Sequence, residues 1–217
     1  MKSDAELRND VMDELNWEPG LNPGAIRVAV KDGVVILSGY VDSYAERQVA
    51  EHAVKRVSGV EAVAEEIEVR LPDLTERSDP EIARVVEKAL TSHVWVPRDT
   101  IKVTVEHGWL TLGGTVHWQY QKEAVEHAVR QLRGLKGVNN LILVKPPLQP
   151  IGIKAKIEAA LKRNARIDAN RITVTARGSK VTLAGKVRSW AERDEAQRVA
   201  WAAPGVLQVE NLITVGD

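Results

Sequence analysis

Five histidines, His52, His93, His107, His117 and His127, are the groups in this chain suited to proton transfer or metal binding near neutral pH. Their spacing does not assemble a site. Glu51 precedes His52 and Glu126 precedes His127, but neither pair extends to the H-E-x-x-H spacing that sets two imidazoles on one helical face around zinc. His52 and His127 are read instead as solvated helix residues, and His107 as part of a turn. There is no cysteine, which removes disulfides, thiolate nucleophiles and sulfur-ligated metals. No P-loop, dinucleotide fingerprint or nucleophile elbow occurs. The chain is therefore read as non-enzymatic, with no catalytic residue, metal or cofactor.

A second set of residues could act through charge alone. Lys154, Lys156, Lys162, Arg163, Arg166 and Arg171 crowd one short stretch, with only Glu158 and Asp168 among them. Such a cluster attracts anionic lipid headgroups at about 1 kcal/mol per basic residue. Nucleic acid is the weaker candidate, because aromatic residues are not interleaved with these cations and the N-terminal third is acidic. The formal net charge of zero conceals a gradient. Residues 1–75 carry 8 Lys/Arg against 15 Asp/Glu, residues 76–147 carry 10 against 8, and residues 148–217 carry 12 against 7. An acidic head and a basic tail also allow head-to-tail self-association between chains, weakened by salt.

These residues must be held by something, and the chain spells out the same scaffold three times. Anchored on Ile26, Ile101 and Ile172, three segments align without a gap over 65 positions, from Leu7, Ile82 and Ile153 through Leu71, Pro146 and Asp217. Each copy opens with apolar residues four apart: Leu7, Val11 and Leu15; Ile82, Val86 and Leu90; Ile153, Ile157 and Leu161. That spacing predicts an amphipathic helix. The period then changes to two, as in Ile26, Val28 and Val30, which predicts a half-buried strand.

The tip KDGV carries Asp32 and Gly33, suited to a type I′ hairpin; His107 and Gly108 take the same place. Gly178 and Ser179 suit a type II′ turn instead. Gly39, Gly114 and Gly185 end the second strand and predict a bulge or a close backbone approach. A second helix follows, opened by the capping boxes Ser43-x-x-Glu46 and Ser189-x-x-Glu192. The middle copy lacks that box, so its second helix is expected to begin differently. The stretches GVEAVAEEIEV, GLKGVNNLILV and GVLQVENLITV then supply a turn and a third strand.

The predicted fold class is α+β: three tandem αββαβ domains, each a three-stranded mixed sheet with two helices on one face. Domain boundaries are placed at 1–71, 77–146 and 149–217. The linkers at 72–76 and 147–148, inside LPDLTERSDP and KPPLQP, are expected to be fairly stiff spacers. Two helices on one face leave the other sheet face open. In copy two that face carries Trp109, Leu141 and Leu143, an apolar contact surface. It is expected to be covered by a neighbouring domain of the same chain, with an external partner as the alternative.

The element order, G-x-V at the end of the second strand, S-x-x-E-R at the second helix and G-V-x-x-V-x-x-x-I-x-V at the close resemble the BON domain. In copy one the resemblance rests on Gly39, Val41, Ser43, Glu46, Arg47, Gly59, Val60, Val63, Ile67 and Val69. In copy three it rests on Gly185, Val187, Ser189, Glu192, Arg193, Gly205, Val206, Val209, Asn211, Ile213 and Val215. Copy two departs at the helix start and has Leu135 where the others have Val. The resemblance implies a bacterial stress-response setting and binding without catalysis, to an anionic phospholipid surface or a membrane-associated protein. It also leaves open a chaperone-like scaffold or recognition of a small ion or osmolyte. The N-terminus lacks the apolar core of a secretory signal, and no uncharged apolar run approaches the ~20 residues of a membrane span. A soluble, cytoplasmic protein with peripheral membrane contact is the expectation.

Overall fold

The computed structural model describes residues 2–73, 76–97, 100–147 and 152–216. Copy one runs α1 (Asp4–Trp17), a 3-10 turn, β1 (Ile26–Lys31), β2 (Val34–Val41), α2 (Tyr44–Arg56) and β3 (Ala62–Val69). Copy two runs α3 (Asp79–Ser92), β4 (Ile101–Glu106), β5 (Trp109–Val116), α4 (Gln119–Arg130), β6 (Gly137–Asn140) and β7 (Leu143–Val144). Copy three runs α5 (Ile153–Arg163), a 3-10 turn, β8 (Ile172–Arg177), β9 (Lys180–Val187), α6 (Trp190–Trp201) and β10 (Gln208–Val215). Parts of both inter-copy linkers, including 74–75 and 148–151, lie outside the described residues.

Each sheet is mixed. The hairpin pairs antiparallel, and the second helix then carries the chain back so that the last strand adds parallel to the second: β2 with β3, β5 with β6 and β7, β9 with β10. The period-two residues point as their parity requires. Leu37, Leu112 and Leu183 occupy one repeat position, and all three are 0% exposed. The helix positions predicted to face inward, from Leu7 to Leu161, are buried too. Three separate apolar clusters result, one per copy, with a single exchange described below.

The turns behave as their residues dictate. Asp32 and His107 take φ of 50° and 53°, followed by Gly33 and Gly108 at 76° and 81°. In copy three the positive φ falls on Gly178. The strand-end glycines are close approaches. A Cβ on Gly39, Gly114 or Gly185 would stand 2.0 Å from the carbonyl oxygen of Ala25, Thr100 or Arg171.

Copy two departs from the others at two places. Its second helix starts at Gln119, the repeat equivalent of Tyr44 and Trp190, but begins differently in its cap, as the missing box led one to expect. Trp118 has no acceptor to complete a capping box, but Gln121 reaches back and its Oε1 accepts from the backbone N–H of His117 and Trp118, at 3.0 Å each. The third strand, read as continuous, is split into β6 and β7. The break at Leu141 and Ile142 lies opposite Gly113 and Gly114, where two consecutive glycines weaken the facing strand.

The copies meet through their second helices. Tyr44, the first residue of α2, is 7% exposed because it enters the apolar cluster of copy two. Trp190, at the same position of α6, donates from Nε1 to the Val60 carbonyl of copy one at 3.0 Å. The ammonium of Lys55 in α2 lies 5.2 Å from the Trp190 ring centroid, and Arg193 covers the same ring at 5.0 Å. Trp190→Phe removes the donor but keeps the ring. It is expected to lower the stability of the contact between copies one and three by about 1 kcal/mol, read as faster hydrogen exchange at the end of α2.

Candidate functional site

The S-x-x-E-R signature is structural. Ser43 and Ser189 accept from the N–H of Glu46 and Glu192, both at 3.2 Å, and so cap α2 and α6. Arg47 then donates to both carboxylate oxygens of Glu65, at 2.6 and 3.3 Å, clamping α2 to β3. Arg193 does the same for α6, donating to the carbonyls of Ile213 and Asn211 at 3.0 and 3.4 Å. Both guanidinium groups are thus engaged in holding the second helix to the last strand.

The histidines do not converge. His52 and His127 are exposed on α2 and α4, as expected of solvated helix residues. Surrounding protein first, and the nearby Arg130 second, hold His52 below the usual histidine value. The backbone N–H groups of His107 and Gly108 both donate to Asp79, at 2.8 and 2.9 Å, and keep that carboxyl below its ordinary range. Asp4 receives the N–H of Asp32 in the same way at 3.1 Å. Among the described residues no group of three His, Asp or Glu could hold a metal ion.

The six cations of copy three are all exposed. Four lie on α5, whose buried side is Ile153, Ile157 and Leu161. Lys154 is 3.7 Å from Glu158, and Arg171 is 3.6 Å from Asp168. Lys156, Lys162 and Arg163 form no ion pair among the described residues. The corresponding helix of copy one is the electrostatic opposite, with Asp4, Glu6, Asp10, Asp13 and Glu14 against Arg8. One scaffold thus presents a negative helix at one end of the chain and a positive helix at the other. Arg166, beyond α5, stands beside Glu195 and Arg198 of α6.

Glu195 itself is committed to structure. It accepts from both Nε and Nη2 of Arg198, at 2.7 and 2.6 Å, and from Asn164 at 2.6 Å. Led by Arg198 and helped by Asn164, these contacts lower its carboxyl from the ordinary 4.5 to about 2. A lowered carboxyl stabilises the fold above the unfolded value and loses that effect as pH falls through the folded one. Glu195→Gln is expected to cost copy three about 1–2 kcal/mol at pH 7. The gap to the unaltered protein should close between pH 4.5 and about 2 in paired urea titrations.

The apolar face of copy two is open, contrary to the expectation that a neighbouring domain covers it. Trp109, Leu141 and Leu143 are 43%, 65% and 59% exposed. The reason is twofold. Tyr44 and Trp190 direct inter-copy packing to the helix side, and Trp109 lies down over Gly137, its partner in β6, whose missing side chain makes room for the ring.

Sequence reasoning passed over a third feature. Trp95 and Tyr120 meet edge to face in copy two, centroids 5.8 Å apart, beside His93 and Arg130. The repeat alignment held the signal: Gly20 and Arg166 stand in place of Trp95, and Ala45 and Ala191 in place of Tyr120.

The architecture defines a class: a tandem of αββαβ modules whose signature residues hold the modules together. The BON domain family pattern matches residues 3–70, 78–146 and 152–217, and the chain belongs to that family. It is similar to the osmotically-inducible protein Y of Escherichia coli (strain K12), 32% identical over 126 residues, which is 55% of this chain and 62% of that protein. More than a third of that relative thus lies outside the match. Among solved structures, a structural protein of the type III secretion system of Chlamydia trachomatis, CdsD, overlaps 94% of this chain and 90% of its own at 14% identity, with a TM-score of 0.27. The PrgH periplasmic domain of S. typhimurium overlaps 89% and 96% at 13% identity, with a TM-score of 0.22. Overlap at this level carries nothing about function.

Proposed function

We propose that this protein is a non-enzymatic, stress-related binding protein that associates peripherally with anionic phospholipid through copy three. The observation that carries this is α5, where Lys156, Lys162 and Arg163 are exposed and unpaired among the described residues on a helix already fixed by its apolar side. A charged head on a rigid stem can reach a phosphate without unfolding anything. The membership in the BON family and the osmotically inducible relative support a stress setting. No helix among the described residues is long and apolar enough to cross a membrane, so contact would be made from one side.

The test is co-sedimentation with vesicles of phosphatidylglycerol and phosphatidylcholine, and of phosphatidylcholine alone, at low and physiological salt. Binding to the anionic vesicles, weakened by salt, is expected. Absence of binding to both would overturn the reading.

A second reading rests on a separate observation, the exposed Trp109, Leu141 and Leu143. Under it the open face of copy two holds an apolar protein partner, scaffold fashion, and lipid is irrelevant. Trp109→Ser would then abolish partner binding and leave vesicle binding as it was.

A further inference from the structure

The groove between the end of α3 and the length of α4 differs from its counterparts in the other two copies. At the end of the first helix, copy one has Glu18 and copy three has Asn164; each is tied to the second helix, Glu18 by an ion pair with Arg56 and Asn164 by its bond to Glu195. Copy two has His93 at that position, and its buried Nδ1 reaches no hydrogen-bond partner among the described residues. Nearby, the buried Nε of Arg130 is also without one. The guanidinium's other side is 3.8 Å from Glu126, beyond hydrogen-bonding distance.

In place of the polar ties, copy two builds an apolar wall. Trp95 and Tyr120 stand perpendicular to one another, 60% and 49% exposed, and the groove they line with His93, Glu123, His127 and Arg130 is open to solvent, with a volume of about 910 Å³. That is room for a ligand of two fused rings. The chemistry selects its charge. An arginine Nε–H can only donate, so it needs an acceptor. A carboxylate meets arginine with two acceptor oxygens and gains from the opposite charge. The acid on the rim, Glu123, is exposed, so solvent screens its charge, and it accepts from Gln119 at 3.3 Å. A flat aromatic body fits the corner made by an edge-to-face pair.

The geometry points to this groove as a binding site for a small aromatic carboxylate, its ring in the Trp95–Tyr120 corner and its oxygens on Arg130 and His93. The site is separate from the basic helix of copy three and does not depend on lipid binding.

The test is calorimetric titration of the full chain with 1-naphthoate, the neutral 1-naphthalenemethanol and the cationic 1-naphthylmethylammonium. One saturable site per chain is expected for naphthoate, at least about tenfold tighter than for the alcohol. Arg130→Gln and Trp95→Ala should each weaken it about tenfold or more, whereas Lys102→Gln, on the sheet face of copy two away from the groove, should leave it unchanged. Trp95 is largely exposed, so its variant reports binding even if Arg130→Gln disturbs folding. The His93 ring resonances should shift during the titration. No saturation up to millimolar naphthoate, equal binding of the alcohol or tighter binding of the cation would overturn the assignment. So would unchanged affinity in both variants.

Discussion

Alanine at Gly114 is expected to destabilise copy two by about 3–5 kcal/mol, while alanine at the adjacent Gly113 changes stability by no more than about 1. The two glycines are neighbours in β5, yet they meet different surroundings. Gly114 has φ of 117°, and a Cβ there would lie 2.0 Å from the Thr100 carbonyl oxygen. That atom belongs to backbone just before β4, whose Ile101 pairs with Gly114, so it can move only if the hairpin opens. A Cβ on Gly113 would meet nothing within 4 Å, and its φ needs no special residue. Urea denaturation of the two variants separates these cases. Equal midpoints would show that the close approach is not what the glycine serves. Gly39→Ala and Gly185→Ala should repeat the large effect in copies one and three, since the obstructing carbonyls lie at the same 2.0 Å.

The second large effect concerns binding. Lys156→Glu with Arg163→Glu is expected to weaken association with anionic vesicles by about 30- to 1000-fold. Each exposed cation contributes about 1 kcal/mol near such a surface, and reversal both removes attraction and adds repulsion. Both residues project from α5 outside the apolar cluster of copy three, so the melting temperature should move little. Lys102→Glu, on the open sheet face of copy two, is the matched control and should bind as the unaltered protein does. A double reversal that binds normally would move the lipid contact away from α5.

Much of the fold could be read from the chain because its determinants are local. Strand parity put Leu37, Leu112 and Leu183 inside, and turn chemistry put positive φ on Asp32, His107 and Gly178. Comparison of three copies turned single weak signals into a pattern. What could not be read depends on residues far apart in sequence. Tyr44 and Trp190 sit at solvent-side helix starts, where nothing nearby shows that another copy will receive them. The open face of copy two was expected to be covered because Trp109, Leu141 and Leu143 are apolar. Covering it, however, depends on where the copies dock, and Trp109 finds its own neighbour in Gly137. The groove beside α4 escaped for the same reason: His93, Trp95, Tyr120 and Arg130 come from two segments that only the folded copy brings together.

The bond from Trp190 to the Val60 carbonyl joins residues 130 positions apart, and it makes copy one the hub of the molecule. Copy one gives Tyr44 to copy two and receives Trp190 from copy three. During synthesis the first copy must therefore wait, its docking surface for α6 uncovered, until the last copy has left the ribosome. A protease that cut the connection between copies two and three would not at once free the third, because it is moored to the first. The chain is a string in its covalent bonds but a hub with two arms in its contacts, and a nick between the arms need not undock either of them.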